Sequence, residues 1–131
     1  MFLGISIRYA RAGLNRTTGE FSWPFDSPNL IRRLGQGLGQ EGGEMVFPLS
    51  FDVGPDGRFL VLDAGNGRIQ VFDAEGEYLT QWGHKGSGEG EFDFGTGALG
   101  AEDLAGSVAV DGEGFIYVAE VGNRRIQKFA P

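Results

Sequence analysis

The chain has no cysteine and only one histidine in 131 residues. Without thiols it has no disulfides and no thiolate metal sites, although this does not choose a compartment, since exported proteins can also lack cysteine. With His84 as the lone imidazole, a transition-metal site would need mainly carboxylate ligands, and a histidine-based nucleophile relay has no local support. Basic residues are scarce too: 11 Lys and Arg stand against 18 Asp and Glu, for a formal charge of −7. The resulting field repels polyanions and no basic run offsets it, so nucleic acid is not an expected partner. No stretch reaches the roughly 18–20 apolar residues that cross a bilayer, so a soluble chain without a membrane span is expected. At the N-terminus, Arg8 and Arg11 follow the apolar run instead of preceding it, which is the wrong order for a signal peptide. The compartment stays open.

What the chain has in excess is glycine, 24 residues clustered between apolar runs, a pattern of many tight turns that makes all-β architecture the leading class. It also repeats itself. Gly57 to Phe72 (GRFLVLDAGNGRIQVF) aligns without a gap to Gly114 to Phe129 (GFIYVAEVGNRRIQKF), with eight of sixteen positions identical at an offset of 57. Self-similarity of this kind marks units that bury their cores by stacking on copies of themselves.

Each copy predicts three strands. Phe51-Asp52-Val53 and Val108-Ala109-Val110 alternate as a strand does, and the turns Gly54–Gly57 and Asp111–Gly114 follow. Phe59–Leu62 and Phe115–Val118 are apolar at consecutive positions, as in a strand covered on both faces. Arg68–Phe72 and Arg125–Phe129 come third, after a Gly-Asn turn, and Glu77–Trp82 supplies a fourth, outer strand to the first copy. The upstream segment Leu30–Leu34 resembles that fourth strand, and Phe25–Asn29 resembles the turn before it, so a partial unit precedes the two clear ones. The segment Asp93–Ser107 reads as a loop insertion that lengthens the repeat. Residues 1–24 fit worst and are at most a degenerate blade.

The motif D/E-x-G-N-x-R-I-Q-x-F, at Asp63–Phe72 and Glu120–Phe129, resembles the NHL repeat of β-propellers, as does GSGEGEF (Gly86–Phe92) ahead of a new strand. The resemblance covers residues 25–131. It implies an all-β partial propeller of four-stranded antiparallel blades around a central channel, usually six blades in that family. Only about two blades' worth of strands is present, and two cannot close a ring. The expectation is therefore a piece of a longer propeller, or copies that associate so that three chains complete six blades.

The recurring acid, amide and guanidinium, Asp63/Glu120, Asn66/Asn123 and Arg68/Arg125, look chemical. A catalytic site is needed once, however, and a turn is needed in every blade. Asn tolerates a left-handed backbone, and Arg can pair with the carboxylate at the neighbouring strand end, so the motif is expected to be structural. His84, Lys85 and Trp82 are weak ligand candidates. Gly83–Gly90 could cradle an anion with help from Lys85, but its spacing is not that of a P-loop. Gly35–Gly43 lacks even the lysine, and both segments read as inter-blade connectors. Asp52, Asp56, Asp111 and Glu113 could collect calcium, yet their spacing is not that of an EF-hand, so no cofactor is expected. Trp23 and Trp82 are expected to be buried between blades. No catalytic constellation emerges. The leading expectation is a non-catalytic scaffold binding a protein or another polymer, and the alternative is part of a propeller enzyme or small-ligand-binding propeller.

Overall fold

A computed structural model describes residues 33–99 and 103–131, together with one short strand pair upstream, Gly13–Leu14 (β1) and Phe21–Ser22 (β2), which pair antiparallel. The predicted segment Phe25–Asn29 and residues 30–32 of the predicted strand before Gly35 lie outside the described residues. Arg33 and Leu34 take no regular structure, and Leu34 is buried.

Four strands follow: Pro48–Val53 (β3), Phe59–Asp63 (β4), Arg68–Phe72 (β5) and Tyr78–Trp82 (β6), paired antiparallel in the order β3-β4-β5-β6. Gly106–Val110 (β7), Ile116–Glu120 (β8) and Arg125–Phe129 (β9) form a second antiparallel sheet of three. The described part of the molecule is thus an all-β partial propeller, one four-stranded blade followed by the first three strands of the next.

The hairpins close by local chemistry. Asp73 accepts the N–H groups of Glu75 and Glu77 through its carboxylate, and Gly76, at φ 90°, donates back to the Asp73 carbonyl. Asp111 and Gly114 repeat this arrangement with Glu113 and Phe115. Aspartate supplies the acceptor and glycine the left-handed backbone that such turns need. The first innermost strand runs longer than predicted, from Pro48, because a bulge between Pro48 and Ser50 lets it continue past the apolar alternation.

β4 is buried along its whole length, as the unbroken apolar run requires, and β5 is equally buried. Leu60, Leu62, Ile69 and Val71 face the second blade and form one core with Val108, Ile116, Val118, Phe92 and Phe94. On the opposite face Phe59, Val61 and Phe72 pack with Leu34 and Met45. The innermost strands lie side by side: Ser50 Oγ accepts from Val108 N–H at 3.1 Å and Asp52 Oδ2 from Val110 N–H at 2.7 Å. Side chains of one blade thereby satisfy the open backbone edge of the next, which a sheet would otherwise leave exposed.

The insertion is shorter than the sequence suggests. The glycine-rich connectors repeat at a different spacing from the strands: the bridge Leu38–Met45 matches Lys85–Phe92, an offset of 92 − 45 = 47 against 57 for the strands. Asp93 and Phe94 therefore belong to the repeated connector, as the matching bonds Gly65 N–H to Val46 O and Gly122 N–H to Asp93 O confirm. Gly106 and Ser107 belong to β7. The ten extra residues fall between Phe94 and β7, where the Thr96 hydroxyl donates to the Asp103 carboxylate.

Candidate functional site

Asp63 ends β4 with no exposed surface and gathers four donors. Its Oδ1 accepts from Val46 N–H at 2.7 Å, and its Oδ2 from Asn66 Nδ2 (2.8 Å), Arg68 Nε (2.8 Å) and Gln70 Nε2 (3.1 Å). The remaining guanidinium nitrogens of Arg68 reach the carbonyls of Gln40, Glu41 and Glu44, while Asn66 reaches that of Gly39. Gln70 accepts from Gly43 N–H and donates to Glu44 O. The result is a clasp: a strand-end carboxylate orients three side chains, and these bind the backbone of the preceding glycine-rich connector. A guanidinium suits the task because its donors fan out in a fixed plane toward several carbonyls at once.

The second copy repeats the clasp partner for partner, with the asparagine moved to the carboxylate oxygen that also accepts the backbone N–H. Glu120 accepts from Asp93 N–H, Asn123, Arg125 and Gln127. Arg125 donates to the carbonyls of Ser87, Gly88 and Glu91, and Asn123 to that of Gly86. Burial pushes the Glu120 carboxyl up, but the hydrogen bonds from Arg125, Asn123, Asp93 and Gln127 outweigh it and hold it below the ordinary 4.5.

All six motif residues named from the sequence thus meet in two equivalent clusters. The asparagines do not take the left-handed backbone expected of them. The left-handed residue is the next one along, Gly67 (φ 66°) or Arg124 (φ 56°), and the asparagine side chains bind the connector. Gln70 and Gln127 were missed. The signal for them was present: each is identical between copies and sits two residues from the arginine, on the same face of its strand.

The glycine-rich loop around His84 is closed on itself. His84 Nε2 lies 2.9 Å from Glu91 Oε1, and Glu91 Oε2 accepts Gly88 N–H at 2.7 Å. The Gly88 N–H first, and His84 with it, hold the Glu91 carboxyl below its ordinary range. Gly86 N–H goes to Phe92 O and Gly90 N–H to Gln127. These N–H groups are engaged within the protein instead of converging on an anion. Trp82 packs on Phe129 and Phe92, with ring centroids 4.6 and 5.8 Å away. Trp23 lies outside the described residues. Lys85 is exposed, with its aliphatic stem lying across Gly67.

The four carboxylates considered for calcium do not gather. Asp52 bonds to the next blade, Asp56 pairs with Arg58 at 3.3 Å, and Asp111 accepts from its own turn and from Tyr117 Oη. Among the described residues no three His, Cys, Asp or Glu side chains converge as metal ligands. No helix among them is long and apolar enough to cross a membrane.

Residues 45–72 match the family model of the NHL repeat. The chain carries an NHL repeat. The match spans β3, β4 and β5 entire and includes Asp63, Asn66, Arg68 and Gln70. No curated protein matches the chain.

Proposed function

We propose that this NHL-repeat chain is a non-catalytic interaction module that presents its blade ends and faces to a protein or another polymer. The observation that carries the reading is the saturation of the clasp. Asp63 and Arg68 are buried and hydrogen-bonded on every side to neighbours and connector backbone, which leaves them holding loops in place with no free group for a reaction. The clasp is structural in this reading, and no cofactor takes part. Calcium added during a melt is expected to leave Tm unchanged.

The exposed face of the second blade is the surface the reading assigns to a further blade, from a longer parent chain or from a second copy. Tyr117, Ala119, Ile126 and Lys128 occupy the positions that Leu60, Leu62, Ile69 and Val71 hold in the first blade, where the second blade covers them. The clasp is tested with Arg68→Ala, which is expected to lower Tm; an unchanged Tm with lost ligand binding overturns the structural role. Light scattering tests self-association, and a monodisperse monomer at micromolar concentration removes the second-copy arm.

A further inference from the structure

We propose that the cavity at the connector end of the two blades binds a small carboxylate-bearing molecule that also carries a hydrogen-bond donor, an ammonium or a hydroxyl. This goes beyond the scaffold reading and does not depend on it. The cavity has a volume of about 570 Å³, within the range of small-molecule sites. Its floor is apolar, formed by Ala64, Phe92 and Phe94, and its polar walls are Lys85, Ser87, Asp93, Thr96 and the clasp residue Asn123.

Asn123 is committed to its clasp, and the other four polar residues are ones that break the repeat. At the 47-residue connector offset Lys85 replaces Leu38, Ser87 replaces Gln40 and Asp93 replaces Val46, and Thr96 comes from the ten residues the other connector does not have. Residues that shape a blade recur in both copies, so polar residues that appear once and line one cavity call for a different cause.

Thr96 is committed to Asp103 and Ala98, but the bonding of the other three is incomplete. Lys85 makes no ion pair or hydrogen bond among the described residues, whereas the arginines of both clasps are fully engaged. Asp93 Oδ1 accepts Gly95 N–H at 2.9 Å and its second oxygen is uncommitted among the described residues. The Ser87 hydroxyl makes no hydrogen bond among the described residues; the Ser87 carbonyl accepts from Arg125. The cavity thus offers one cation, one carboxylate oxygen and one hydroxyl over aromatic carbon. An anion alone would leave Asp93 opposing it, and a cation alone would leave Lys85 opposing it; a molecule with a carboxylate for Lys85 and a donor for Asp93 satisfies both.

The other repeat supplies test variants that keep the fold, because it accommodates the replacement residue at the equivalent position. Isothermal titration calorimetry of the chain, of Lys85→Leu and of Asp93→Val would use glycine, serine, phenylalanine, lactate, acetate and inorganic phosphate as probes. The expected result is saturable binding of at least one amino or hydroxy acid, weakened about tenfold or more in Lys85→Leu, with an unchanged melting curve. Asp93→Val is expected to weaken that probe and leave acetate unaffected. Binding of phosphate alone overturns the ligand class. No saturable binding by any probe at millimolar concentration, or binding unchanged in Lys85→Leu, overturns the site.

Discussion

The two blades share a skeleton and differ in what covers it. In the first, Arg68 is nearly sealed, with 7% of its side chain exposed, and Ile69 is wholly buried; in the second, Arg125 is 29% exposed and Ile126 is 70% exposed. The clasp nevertheless joins equivalent partners in both. A clasp made of a strand end and its own connector needs no neighbouring blade, so it forms wherever the local sequence allows. Burial of the face beside it needs a second sheet. The lesson is that the polar motif is a property of one repeat and the apolar core a property of two.

That difference sets the order of expected effects. Removing Arg68 leaves Asp63 buried without its cation, and Arg68→Ala should cost about 3–5 kcal/mol in urea unfolding. Arg125→Ala, at the wetter clasp, should cost about 1–2 kcal/mol. Equal losses would break the link between burial and clasp strength.

Ile69→Ala should cost about 3 kcal/mol, while Ile126→Ala should stay within about 0.5 kcal/mol. A large loss at Ile126 would mean that the face is covered in solution, and light scattering on the same sample would say whether a second copy covers it.

Acid should reach the second clasp through Glu120. Its folded carboxyl titrates below the ordinary 4.5, so the stabilisation is fully present above that value and is lost as the pH falls through the folded value. A Glu120→Gln variant should flatten the acid limb of a stability–pH curve; an unaltered limb would show that Glu120 is not responsible.

Asp52→Ala removes the acceptor for Val110 N–H and should cost about 1–2 kcal/mol. Ala109 occupies the matching position in the second blade, so Ala109→Asp should change stability little unless another blade is docked there. Last, Arg124 holds the left-handed position that Gly67 holds in the first blade, and Arg124→Gly should raise stability by about 0.5 kcal/mol.

Much of the architecture was legible in advance. Phe59–Leu62 is apolar at every position because both its faces are covered, and the Asp and Gly residues around the turns locate the hairpins. The clasp was half legible. Asp63, Asn66 and Arg68 stood out by charge and polarity, whereas Gln70 sat in a strand pattern that gave no hint of a partner 26 residues earlier, at Glu44. The cavity residues were harder still. Lys85 stands out in the sequence as a charge in a glycine loop, but Asp93 reads there as part of an insertion, and the Lys85–Phe92 bridge with the bond from Gly122 to the Asp93 carbonyl reveals that it belongs to the repeated connector.

The sequence by itself determined the strands, the turns and the recurring motif, because periodicity, turn chemistry and local polar pairing act over a few residues. Which carbonyls the arginines hold, where the ten extra residues lie, which isoleucine is buried and which polar residues share a cavity were decided only by the tertiary structure. Those relations join segments that are distant along the chain, and only the stacking of one sheet on another brings them within reach.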